Sequence, residues 1–368
     1  MNKKTILWIL IGILVISTIV LINVSMNKST GAIKIGLTGH FSGEYANYGI
    51  PMKNAVELVV EETNNKGGID GRQLELIIED DESDVNKAAS AINKLINIDN
   101  VDYIISAQAS GSTSVISPIS QNNKRVLMIT LASAPELAKT GEYVFRSIPS
   151  DIYQGVKMVE FINEDLGSEK VAGLYINNAY GVGIKGIINA NENVEIVASE
   201  MFEPGASDFR TQLLKIKESN ADTLVLVAYR DEAPIIFKEI NELGLNIKIL
   251  GSETIKDEEI LKDSGSNAEG VYVTFYTDEP QDYVNFNQNY KTKFNEEVSS
   301  YSMYGYDGAL ALVKAIDKAG DDVNKVQSEL YSIKFNGASG EVGFDSDGDR
   351  TGVAYILYRV ENSQFVKQ

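Results

Sequence analysis

The chain has 368 residues, 33 of them basic and 52 acidic, for a formal net charge of −19, with 43% apolar residues, one histidine and no cysteine. That length suits two domains, and the apolar share is enough to build their cores. The composition excludes disulfides, thiolate metal sites, a cysteine nucleophile, a lipid-modified N-terminal cysteine and any multi-histidine metal site. Lys3, Lys4 and Lys28 are the only charged residues before position 31, so the remainder sets 30 basic against 52 acidic residues. A surface of that sign repels nucleic acid and anionic lipid, so no nucleic-acid partner is expected.

From Ile6 to Ile22 only Gly12, Ser17 and Thr18 interrupt an apolar run. Extended to Met26 as a helix it spans about 30 Å, one hydrocarbon core, and Lys3 and Lys4 set its cytoplasmic end. Residues 1–30 are read as an uncleaved membrane anchor, with a cleaved signal segment as the alternative; either exports the rest. Beyond it, short β-branched runs alternate with helical segments, the pattern of βαβ units. Strands are predicted at Ile33–Leu37, Leu74–Glu79, Tyr103–Ile105 and Val126–Ile129, with helices at Met52–Asn64 and Val85–Ile98 between them. A second series follows "FRSIPSD", with strands at Val171–Ile176, Glu195–Phe202, Thr223–Ala228, Lys248–Leu250 and Val271–Thr274. Its helices are predicted at Tyr153–Asp165, Val182–Asn189, Asp208–Ser219 and Glu232–Leu243. The less regular C-terminal part reads as helices at Tyr283–Glu297, Gly305–Ala319 and Val323–Tyr331, then a last strand at Val353–Val360. One architecture built twice predicts an α/β protein of two similar lobes, each a mostly parallel sheet flanked by helices.

The loops after the strands carry the chemistry, because open α/β sheets present ligand contacts at the C-terminal ends of their strands. "GLTGHFSGEYANYG", Gly36 to Gly49, has neither phosphate-loop spacing nor a basic residue between Lys34 and Lys53, which argues against a nucleotide loop. His40 beside Ser42 lacks a third group to orient the ring, so no catalytic residue is assigned and His40 reads as a bystander. In "SAQASGSTSVISPIS", Ser110, Ser112 or Thr113 stands at or before a helix N-terminus, where free N–H groups and hydroxyls suit a carboxylate; a plain Ser/Thr cap fits equally. "TLASAPELAKTG" repeats the theme, with a helix start at Ser133–Glu136 and a stop at Gly141. In the second series Tyr180, Tyr229 and Glu253 lie at strand ends facing the first lobe, Glu253 able to neutralise an ammonium group. "FDSDGDR" has the alternating aspartates of a calcium loop, but its glycine is at the fourth position and Ile356 stands where the closing glutamate belongs. It reads as a turn, and neither a metal nor a cofactor is expected.

The ordered set "SGEYANYG", "NNKGGIDGRQLELIIEDDESD", "ASGSTS", "ASAPEL" and "AYG" resembles the periplasmic branched-chain amino-acid-binding proteins, the extracytoplasmic receptors of ABC importers, over residues 32–360. The resemblance implies the type I periplasmic-binding-protein fold, with lobes joined by three crossings and closing on ligand by a hinge. It places lobe 1 at 31–149 plus 280–337 and lobe 2 at 150–279 plus 338–368, with crossings at Phe145–Asp151, Thr274–Pro280 and Asn336–Gly340. It further implies Ser110 and Ser133 on a ligand α-carboxylate, a main-chain contact at Leu131, Glu253 on the α-ammonium, and Tyr48, Tyr180 and Tyr229 as pocket tyrosines. Thr130-Leu131 departs from the family's usual Pro-Ala, which bears on pocket size. The implied function is a monomeric, extracytoplasmic amino-acid receptor that is not an enzyme and partners a permease. The alternative is a sensor of the same fold for an amide or other small carboxylate.

Overall fold

The computed structural model describes residues 31–276, 283–352 and 354–368. The proposed anchor at residues 6–26 lies outside the described residues, and no helix among those described is long and apolar enough to cross a membrane.

The first series forms β1 (Ile33–Gly39), α1 (Ala46–Asn65), β2 (Leu74–Asp80), α2 (Val85–Asn97), β3 (Tyr103–Ala107), α3 (Ser110–Asn122), β4 (Val126–Ile129) and β5 (Val144–Arg146). Its five strands make a parallel sheet in the order β2-β1-β3-β4-β5. The central β3 and β4 are buried along their whole length because helices cover both faces of such a sheet. The second series forms α4 (Asp151–Glu164), β6 (Lys170–Ile176), α5 (Ala179–Asn189), β7 (Glu195–Phe202), α6 (Arg210–Glu218), β8 (Thr223–Val227), α7 (Ala233–Glu242), β9 (Lys248–Gly251), α8 (Glu258–Ser264) and β10 (Tyr272–Tyr276). The chain then returns through α9 (Tyr283–Phe294), α10 (Ser300–Ala319), α11 (Val323–Leu330) and the hairpin β11 (Lys334–Gly337)–β12 (Gly340–Gly343), and ends in β13 (Tyr355–Glu361) and β14 (Gln364–Lys367). The second sheet runs β14-β13-β10-β9-β8-β6-β7, with β13 and β14 antiparallel to their neighbours. The two-lobed α/β architecture matches the sequence-based expectation, with a sheet and a core in each lobe.

Three local readings are corrected. The first helix begins at Ala46 rather than Met52, so it takes in Gly49 and Pro51. A Cβ at Gly49 would lie 2.0 Å from the His40 carbonyl oxygen, so a glycine is what lets this helix start against the preceding loop. The helix expected from Ser133 to Gly141 is only a turn followed by a 3-10 segment at Ala138–Thr140. Its start is tied elsewhere: the Ser133 carbonyl accepts from Asp151 N at 2.9 Å, Ala134 N donates to Ser110 Oγ at 3.3 Å, and the Ala134 carbonyl accepts from Arg146 Nη1 at 2.6 Å. Asn336–Gly340, expected as the third crossing, lies in the β11–β12 hairpin instead, and Val342 and Phe344 still pack in the core of the first lobe. The passage to β13 therefore follows Phe344 and contains "FDSDGDR".

That passage is fastened to the first crossing. Arg146 N donates to the Gly348 carbonyl at 2.9 Å, and the fully buried Arg146 guanidinium reaches Asp349 Oδ1 from Nε at 2.7 Å. Arg350 Nη1 donates to the Ser147 carbonyl at 2.9 Å. Asp345 Oδ1 accepts from the N–H groups of Asp347 and Asp349, so the aspartates serve the turn. No group of three or more potential metal ligands occurs among the described residues. The second expected crossing, Thr274–Pro280, lies partly outside the described residues.

Candidate functional site

The carboxyl ends of both sheets face one cavity. Every residue proposed from the sequence lines it: Tyr48, Ser110, Leu131 and Ser133 from the first lobe, and Tyr180, Tyr229 and Glu253 from the second. The structure adds Tyr45, Ala109 and Tyr301 on the first side and Thr254 on the second. Tyr45 lies three residues before Tyr48, and Thr254 follows Glu253, so both had a local signal in helical spacing and adjacency. Tyr301 had none: it arrives on α10, which reaches α1 so closely that a Cβ at Gly305 would sit 2.9 Å from Met52 Cα.

The first wall is built on the start of α3. Its N-cap is Ala109, which has no side chain to cap with, so the N–H groups of Ser110, Gly111 and Ser112 are left open by helix geometry. Beside them stand the Ser110 and Ser133 hydroxyls, 3% and 4% exposed. Open N–H groups at the positive end of a helix, flanked by hydroxyls, form an anion site without Lys or Arg.

The second wall carries a carboxylate. Glu253 follows β9, is buried, and accepts from the Tyr180 hydroxyl at 2.7 Å through Oε2. Thr254 Oγ1 donates to the Ala228 carbonyl at 2.7 Å, which pins the turn. Burial raises the Glu253 carboxyl above its ordinary range, and hydrogen bonds from Tyr180 and Gln154 oppose that rise. Asp151, the first residue of α4, is fully buried beside the Ser133 hydroxyl, whose hydrogen bond favours its charged form. Burial, then repulsion from Glu253, raises it well above the ordinary value. Among the described residues no Lys, Arg or His lines the cavity, and the Glu253 carboxylate stands opposite the helix N-terminus.

Aromatic rings close the remaining sides. Tyr180 stacks on Tyr229 at 5.6 Å between centroids, and Tyr229 meets Tyr45 of the other lobe at 5.1 Å. Tyr48 sets its edge against Tyr301 at 5.1 Å, and its buried hydroxyl has no hydrogen-bond partner.

His40 is not a bystander. Its Nδ1 lies 2.6 Å from Asp81 Oδ1, supplying the orienting group that the sequence did not reveal. Its Nε2 accepts the Ala109 N–H at 2.8 Å, so the lone pair a general base would need is already engaged. The catalytic reading that His40 and Ser42 invite therefore has no support in the geometry.

Two lobes with a cavity between the carboxyl ends of their sheets define a two-lobed solute-binding protein. Residues 32–364 match the sequence profile of the periplasmic binding protein family, and the chain belongs to that family. It is 29% identical over 342 residues, 91% of each chain, to the leucine-, isoleucine-, valine-, threonine- and alanine-binding protein of Pseudomonas aeruginosa. Among solved structures, the leucine-binding protein LivK of Thermotoga maritima superposes with a TM-score of 0.85 at 26% identity, covering 92% of this chain and 98% of that one. The branched-chain amino-acid transporter substrate-binding protein LivJ of Streptococcus pneumoniae, in complex with isoleucine, gives 0.80 at 28% identity over 92% and 100%.

Proposed function

We propose that this protein is the extracytoplasmic receptor of an ABC importer and that it binds an amino acid with a small apolar side chain between its lobes. The observation that carries this reading is the separation of charge across the cavity. The open N-terminus of α3 with Ser110 and Ser133 stands on one wall, and the buried Glu253 carboxylate on the other. A zwitterion matches both. The α-carboxylate takes the helix N–H groups and the two hydroxyls, with the Leu131 main chain beside it, and the α-ammonium takes Glu253. The rings of Tyr48, Tyr180 and Tyr229 are left for the side chain. Because the two charge partners belong to different lobes, only the closed form satisfies both, and binding drives closure. The names of the Pseudomonas, Thermotoga and Streptococcus relatives support the same ligand class.

In this reading the protein is a monomeric receptor rather than an enzyme. It is tethered by residues 6–26 beside its permease, which recognises the closed form. Mass spectrometry of ligand released by denaturing freshly purified full-length protein tests the ligand class, together with calorimetric titration of leucine, isoleucine, valine, threonine, alanine and their amides. Binding of one or more of these amino acids without turnover is expected. Chemical conversion of any of them, or a panel without a binder, would overturn the reading.

A further inference from the structure

We infer that His40, backed by Asp81, is the positioning residue of the first wall: its imidazole fixes the Ala109 amide, and with it the open start of α3 and Ser110, where the ligand's anionic group is received. This rests on the reading of the cavity as an amino-acid site.

The placement follows from the sheet. β1 and β2 pair in parallel register with Gly39 opposite Asp80, so the next residue of each strand, His40 and Asp81, leaves the sheet side by side. They are 1% and 0% exposed. An amide N–H can only donate, so the Ala109 contact at 2.8 Å requires Nε2 to be the unprotonated acceptor. The single ring proton is then on Nδ1 and donates to Asp81 Oδ1 at 2.6 Å. One neutral tautomer satisfies both contacts. Asp81 grips the same loop a second time, because its Oδ2 accepts from Gln108 Nε2 at 2.6 Å. The imidazole also lies 5.4 Å from the Tyr45 ring, which meets Tyr229 across the cleft. A single buried ring thus supports both the anion-receiving helix start and part of the aromatic wall.

The Nε2–H tautomer would set two donors against each other at Ala109. The titratable groups around the ring are Asp81 from the end of β2 and the Tyr45 phenol from the approach to α1. The phenol's proton is held far above its ordinary range by burial and then by nearby carboxylates. Asp80 is occupied by the N–H groups of Phe41 and Ser42. The loop from β3 presents the uncharged Gln108.

The test exploits the fact that this is the only histidine of the chain, so its imidazole nitrogens give one pair of signals. On full-length protein with ¹⁵N-labelled histidine and alanine, the imidazole nitrogen shifts should report the Nδ1–H tautomer. A scalar coupling should also connect Nε2 to the Ala109 amide nitrogen across the hydrogen bond. In titrations with leucine, His40→Leu should weaken binding about tenfold or more, while His40→Gln, whose side-chain oxygen can accept the Ala109 N–H, should stay within about threefold of the parent. An Nε2–H tautomer, absence of the coupling, or equal leucine affinity in parent and His40→Leu would each overturn the inference. Failure of the parent to bind any amino acid would instead overturn the receptor reading, with the tautomer and the coupling still deciding the role of His40.

Discussion

Glu253→Gln is the most informative single change, because it removes a charge and keeps the shape. Glu253 is 4% exposed, and its Oε2 already takes the Tyr180 hydroxyl, an interaction that a glutamine oxygen preserves. The variant should fold as the parent does, and its cavity should keep its volume. What it loses is the counter-charge for a buried ammonium. The lower bound is one charge-assisted hydrogen bond, about 1.5–3 kcal/mol. The upper bound is the cost of stranding one partner of a buried pair, about 3–5 kcal/mol. Leucine affinity should therefore fall by between about tenfold and a few thousandfold. The control is 4-methylpentanoate, which is leucine without its ammonium group. Calorimetric titration of both ligands against both proteins closes a cycle that isolates the coupling between the ammonium and Glu253. The parent should strongly prefer leucine, and the variant should lose most of that preference. If leucine bound the variant within about threefold of the parent, or if both ligands weakened equally, the assignment of Glu253 to the ammonium would be wrong.

Other outcomes follow from the same geometry. Ser110→Ala should weaken binding by about 1–3 kcal/mol, since the hydroxyl both accepts from Ala134 N and faces the ligand; titration with leucine checks this. Tyr48→Phe should bind as the parent does because the hydroxyl has no partner, whereas Tyr48→Ala should lose the ring contact and about 1 kcal/mol or more; a large loss in the phenylalanine variant would mean that the hydroxyl touches ligand. Arg146→Met strands the buried Asp349 carboxylate, so the urea midpoint of full-length protein should fall by the equivalent of about 3–5 kcal/mol, and an unchanged midpoint would refute the fastening of the crossings. Asp151 and Glu253 keep their protons above the ordinary values of 3.8 and 4.5, so the stability tied to that proton binding is present below those values and lost as pH rises through the raised ones. An incoming ammonium reverses the shift, so leucine binding should release protons and weaken on acidification toward that range; calorimetry in buffers of different ionisation enthalpy measures the release.

Much of this was legible in the chain itself. Helical and strand periodicities are local properties, so the alternation of elements and the two-lobed class followed from spacing alone. The loops after β1, β3, β4, β6, β8 and β9 stood out because hydroxyl, tyrosine and glutamate residues replace apolar ones where each strand ends. What spacing could not show is which side chains meet across long separations. β5 is only three residues long and holds its place through β4 and the Arg146 contacts with Gly348 and Asp349, about 200 residues further on. Tyr301 reaches the cavity because α10 packs on α1, and nothing near it in sequence announces that. His40 read as incidental beside Ser42, since its partner Asp81 lies 41 residues away and is brought alongside by the pairing of β1 with β2. The sequence by itself determined the elements and the chemistry at their ends. Only the tertiary structure decided which ends share a cavity and which buried groups orient them, because strand order and lobe closure depend on contacts between residues far apart in the chain.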